Sequence, residues 1–323
     1  MCHPRLGVFS VTLIFCLGAA RLSFATGLAA DSSLPRYDPQ PVARPKIAGY
    51  LTPSGAITIV GYNDMAEMIN ALCARFAAAH PDFSFVPVLK GTRTGPPALA
   101  AGTSALAPMG AEFSPTELAT YRAATGGEPL VIRLAHASLD PRALSGPLAI
   151  LVHRDNPLRS LTLAEVAAIF SGADRSRGLR PCGLAAETAL GIFFRERVLK
   201  DGVLATDFVG LTQSAEVVRR VGADVRAIGY AAAMRATPEV RVLALAARAG
   251  EPPVAPTVEA LASGRYPLDR FLLLAARRPL EPWVREFLRL ALSRDGQQAV
   301  AGGSLGYLPL AAGEAAAERA KLE

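Results

Sequence analysis

The sequence predicts an α/β chain folded into two lobes with mainly parallel sheets. Three observations lead there. From Ala56 onward, short apolar runs alternate with helical patterns. Strands that alternate with helices build parallel sheets covered by their crossover helices. The chain has 323 residues, enough for two lobes of ordinary domain size. Past residue 25 no stretch is long and apolar enough to span a bilayer.

The elements follow in order. Met1 to Arg5 is basic, Leu6 to Ala20 is apolar, and Ser23-Phe24-Ala25 fits a small-x-small cleavage site. That is the layout of a secretory signal peptide over residues 1–25. Its apolar run of about 15 residues falls short of the roughly 20 that a bilayer span needs. Cleavage leaves 323 − 25 = 298 residues, and loss of Arg5 and Arg21 lowers the formal charge from +6 to +4. Residues 26–45 carry Pro35, Pro39, Pro41 and Pro45 with little periodicity, which predicts a flexible lead-in. Ile57–Val60 reads as a strand. Asp64 to His80 reads as a helix, with Met65, Ile69, Leu72 and Phe76 on one face. Phe83–Leu89 and Leu130–Ala135 are strands, and between them Ser114 and Glu117 form a capping box.

Pro147–Val152 is strand-like. Thr162 and Glu165 form a second capping box, whose helix ends at Gly172. A helical pattern runs from about Glu187 to Leu199. Strands follow at Val225–Tyr230 and Val240–Leu245, a helix at Thr257–Ala262, a strand at Phe271–Ala275, and helices from Glu281 to Ala301.

Composition excludes several functions. The Arg residues are scattered, with no basic tract interleaved with aromatics, so nucleic acid is not the partner. No Cys/His spacing suggests zinc, no cofactor motif occurs, and no catalytic triad order stands out. Cys73 and Cys182 survive signal cleavage and are read either as a disulfide or as buried thiols. The mild positive charge suits a small anion.

Particular words go further than texture. Lys90-Gly91-Thr92-Arg93-Thr94-Gly95 is followed by Asn156-Pro157, Leu161-Thr162-Leu163 and Ile169-Phe170-Ser171-Gly172. Then come Ala227-Ile228-Gly229-Tyr230, Gly264-Arg265-Tyr266-Pro267-Leu268-Asp269-Arg270 and Gly306-Tyr307-Leu308-Pro309-Leu310. In this order, over residues 55–310, the chain resembles the phosphate-binding proteins of ABC transporters. The resemblance implies a type II periplasmic-binding-protein clamshell. Residues 46–136 and 240–323 would form one lobe and residues 137–239 the other. It further implies a periplasmic protein that takes a small anion, phosphate first, in an interlobe cleft and hands it to a membrane permease. A sensory or scaffolding clamshell is the alternative.

The resemblance also implies a ligand set on four loops. The first reads Gly61-Tyr62-Asn63-Asp64, where Asn63 offers an amide and Asp64 fits a helix N-cap better than a ligand contact. The second places Thr92, Arg93, Thr94 and Gly95 on an anion-binding turn. Arg93 there is either a bidentate partner or solvated. The third normally carries a Ser followed by Arg or Asp, which are replaced here by Gly110 and Ala111. The fourth keeps Thr188 before its helix, while Cys182 stands where an Arg is expected and Arg180 is the candidate substitute.

Overall fold

The structure, a computed structural model, describes residues 29–200 and 202–323. The expected signal peptide, residues 1–25, lies outside the described residues. Strand β1 (Ile57–Gly61) buries alternate side chains, as a half-covered strand must. A 3-10 turn over Asn63–Met65 delays α1 (Ala66–Ala79), which buries Met68, Ile69, Leu72, Cys73 and Phe76. It leads to β2 (Phe85–Leu89), parallel to β1. Next come α2 (Gly95–Ala101), β3 (Leu106–Met109), α3 (Pro115–Thr125) and β4 (Leu130–His136). Helix α3 starts at the predicted box of Ser114 and Glu117. β3 runs beside β1, with Ala105 N–H donating to Thr58 O and Tyr62 N–H to Pro108 O. Pro108 has no N–H, so this ladder is interrupted in its middle.

The middle of the chain builds β5 (Leu148–His153), β6 (Ser160–Thr162), α4 (Leu163–Ser171), β7 (Arg180–Leu184) and α5 (Ala189–Phe194). It continues through β8 (Val209–Leu211), α6 (Ser214–Ala223), β9 (Ala227–Ala232), β10 (Val240–Val242), β11 (Ala244–Ala246) and α7 (Val258–Ala262). The return supplies β12 (Phe271–Ala276), α8 (Pro282–Ala291), α9 (Arg294–Ala301) and α10 (Ala312–Ala320).

Both lobes share one sheet plan. The first reads β2-β1-β3-β12-β4 once the broken β1–β3 edge is included, and the second β8-β7-β9-β5-β10. In each, three neighbouring strands run parallel, and one antiparallel strand arrives from the other lobe (β12 or β5). The two crossings lie side by side: Ala137 N–H donates to Arg270 O, and Leu148 N–H to Leu268 O.

Two expectations are corrected. Residues 240–268 were expected in the first lobe, yet Val240, Leu243, Leu245, Leu261 and Leu268 belong to the second core. The reason is pairing: β10 adds to β5 and β11 adds to β6, so the return falls at β12. The lead-in, from residue 29 on, is not a free tether. Leu34 is buried in the first core, and the Tyr37 and Gln40 N–H groups donate to Asp295 and Glu286. Its prolines carry no N–H, so few donors need partners along that surface. Cys73 and Cys182 are free thiols in separate cores.

Candidate functional site

Loops at the carboxyl ends of the parallel strands meet between the lobes, where ligands of open α/β sheets bind. They line a cavity of about 290 Å³. The first lobe contributes Tyr62, Thr92, Arg93 and Gly110, the second Thr188, Thr212, Gln213 and Ser214, and the crossings Ser145 and Arg270. No Asp or Glu is in this lining. A larger cavity of about 490 Å³ is lined by Glu112, Arg133, Arg197, Asp269 and Glu314 among others, with no Ser or Thr. Its acids make it the poorer home for an anion.

Thr92, Arg93 and Thr188 thus come together as expected, and Asn63, Thr94 and Gly95 do not line the cavity. Asn63 is exposed and donates to Asp64 Oδ1 at 3.3 Å. Asp64 is not the N-cap and does not line the cavity. Its Oδ2 accepts from Leu144 N–H at 2.7 Å and from the Tyr307 hydroxyl at 2.8 Å, gripping the crossing segment. The Thr94 hydroxyl donates to Gly91 O at 2.7 Å and so closes its own turn. Gly95 lets α2 lie close on the sheet, since a Cβ there would stand 3.1 Å from the Ala107 methyl. Tyr62 replaces Asn63 at the cleft. Its ring fills the space beside Gly110, where a Cβ would come within 2.4 Å of it. Burial pushes the Tyr62 phenol up to about 12, so it stays a protonated donor.

A hydroxyl has one proton to give, so its partners decide what it can bind. Thr92 Oγ1 accepts from Gly110 N–H at 2.9 Å. Its own proton meets no acceptor among the described residues. Thr188 is the N-cap of α5: it accepts from Gly191 N–H at 3.0 Å and gives its proton to Ala185 O at 2.7 Å. Ser214 Oγ accepts from Ala232 N–H at 3.2 Å, and its proton too meets no acceptor among the described residues. Glu187 is exposed and outside the lining.

Cations in the lining are Arg93 and Arg270. The Arg93 side chain is 44% exposed and pairs with Glu117 at 2.5 Å. Arg270 is buried, and its Nη2 donates to Gly110 O at 3.2 Å. Arg180 is not a substitute cation: it begins β7, at the strand end away from the cleft, and pairs with Asp224 at 3.1 Å. Cys182 is buried in the core, and burial pushes its thiol up to about 11, which leaves it inert as a nucleophile.

Ser145, Thr212, Gln213, Ser214 and Arg270 line the cavity without having been singled out in the sequence. Glu216, three residues after Gln213, with Val217, Val218 and Val221 buried behind it, signals the start of α6 and hence the first helical position of Ser214. Arg270 stands inside a motif already quoted, but nothing in its spacing says that it enters the cleft.

Two lobes of one plan, joined by paired crossings and enclosing a polar cleft without acids, define a bilobal solute-binding protein. The chain belongs to the PBP superfamily, whose domain model matches residues 47–295. It is 30% identical over 320 residues to the phosphate-binding protein PstS of Pseudomonas aeruginosa, covering 92% of this chain and 95% of that one. Among solved structures it is similar to PstS from Borrelia burgdorferi, with a TM-score of 0.52 and 14% identity over 79% of this chain and 99% of that one. An ABC-type phosphate transport receptor from Vibrio cholerae gives 0.51 and 18%, over 78% and 99%. At these identities the structures show the shared fold. No helix among the described residues is long and apolar enough to cross a membrane.

Proposed function

We propose that the protein is the periplasmic solute-binding component of a phosphate-type ABC transporter, holding a small oxyanion in the interlobe cleft. One observation carries this reading: hydroxyl-bearing side chains from both lobes line the cavity and no carboxylate does. Thr92 and Ser214 approach from opposite lobes, each with a proton to donate. Phosphate is the first candidate, because the curated relatives are named phosphate-binding proteins. Binding rather than catalysis fits the lining, since the nearby thiol is inert and the phenol stays protonated. The basic, apolar start of the chain supports export, and a permease partner follows from the transporter role.

Calorimetric titration with inorganic phosphate tests the reading, and small-angle scattering tests closure. Binding should be saturable, and the radius of gyration should fall as the lobes close. A protein that takes up neither phosphate nor another small oxyanion would have another function.

A further inference from the structure

We propose that Arg270, on the strand crossing between the lobes, is the charge partner of the cleft anion. The assignment rests on the reading of the cleft as an oxyanion site. A buried anion needs a nearby cation, because an uncompensated charge away from water costs several kcal/mol. Arg93 is half-exposed and already paired with Glu117. The Arg270 side chain is 5% exposed, and its Nε is the one buried side-chain nitrogen or oxygen among the described residues without a hydrogen-bond partner. Its nearest carboxylate, Glu112, stands 3.7 Å from Nη2 and is itself 38% exposed. Buried donors are nearly always paired, so an unpartnered guanidinium N–H on a residue that lines the cleft points to a ligand.

The fold explains why the cation comes from this place. The loop after β3 reads Gly110-Ala111 and carries neither a hydroxyl nor a charge. No side chain fits at 110, because the Tyr62 ring occupies that space. Two side chains from the crossings converge on the Gly110 carbonyl. Ser145 Oγ donates to Gly110 O at 2.8 Å, and Arg270 Nη2 donates to the same oxygen at 3.2 Å. Antiparallel pairing of Leu273 with Met109 sets the start of β12 against the end of β3, so Arg270 necessarily arrives there. Its backbone is pinned, with its N–H donating to Asp269 Oδ1 at 2.7 Å. The guanidinium also sits 5.4 Å over the Phe193 ring, so it touches both lobes.

The test uses inorganic phosphate as probe. Calorimetry should find Arg270→Gln weaker than wild type by on the order of a hundredfold, with Arg270→Lys in between, since Lys keeps the charge but loses the fork. If Arg270→Gln fails to fold, the wild-type protein still decides. In a nitrogen-15 spectrum the Arg270 Nε–H resonance should shift downfield along the same binding curve as the heat. A phosphate-saturated protein whose Arg270 Nε–H has not moved overturns the assignment and leaves the cleft reading intact. So does folded Arg270→Gln with wild-type affinity. A wild-type protein that takes up no oxyanion overturns the cleft reading, and the assignment with it.

Discussion

The two lobes repeat one device and differ in another. After β2, Thr92 accepts the N–H of Gly110 from the loop after β3; after β8, Ser214 accepts the N–H of Ala232 at the end of β9. These strands hold equivalent places in their sheets. Each hydroxyl is therefore oriented by the neighbouring loop and keeps its proton. The first loops, after β1 and after its counterpart β7, diverge. In the first lobe Asp64 grips the crossing through Leu144 N–H and the Tyr307 hydroxyl. In the second, Thr188 closes its own helix start. In the second loops, after β2 and β8, the Thr92 and Ser214 hydroxyls keep a proton to donate, whereas the first loops are occupied with structure. The first lobe also holds a buried triad at the crossing. His136 lies 2.6 Å from Asp269 and 2.8 Å from Glu314.

The largest effect expected is on that triad. Burial by itself would push His136 down, but hydrogen bonds to Asp269 and then Glu314 raise it to about 9 from an ordinary 6.5. A raised histidine contributes stability while it is protonated in both states. That stability is fully present below about 6.5 and is lost as pH rises through about 9. Denaturant unfolding from pH 6 to 10 should show this decline in the wild type, and His136→Asn should flatten it. Equal slopes in both proteins would show that the triad carries no proton linkage.

The second loops come next. Thr92→Val and Ser214→Ala should each weaken phosphate binding by roughly ten- to a hundredfold, the worth of one hydrogen bond to a charged acceptor. Weakening by Thr92→Val alone would break the proposed equivalence of the lobes. Thr188→Val should leave affinity unchanged and cost about 1 kcal/mol of stability, as loss of an N-cap does. A drop in affinity without loss of stability would return Thr188 to the ligand set. Smallest is Glu187→Gln, where titration should find affinity within about twofold of wild type, because an exposed charge is screened.

The outline of the fold is legible in the residues because it rests on local periodicity. Ile57–Gly61, Leu130–His136 and Leu148–His153 stand within a residue or two of the apolar runs that announce them. Both capping boxes start their helices, since Ser114 with Glu117 and Thr162 with Glu165 need only three residues of chain to meet. The strand read at Val240–Leu245 instead divides into β10 and β11, which pair with different partners. Partner choice is non-local and leaves no mark on periodicity.

The amino-acid sequence by itself determined the α/β class, the order of most elements, the family words and the placement of Thr92, Arg93 and Thr188 on loops. These depend on spacings of two to four residues and on short turns. Only the tertiary structure decided which hydroxyls keep a proton and where the cleft's buried cation stands. Thr92 and Thr188 look alike in sequence, yet the acceptor at Ala185 engages one and Gly110 N–H leaves the other free. Arg270 reaches Gly110 across 160 residues of chain, through the antiparallel register of β12 on β3. A contact of that kind is a property of packing, because the chain between its ends must fold before they meet.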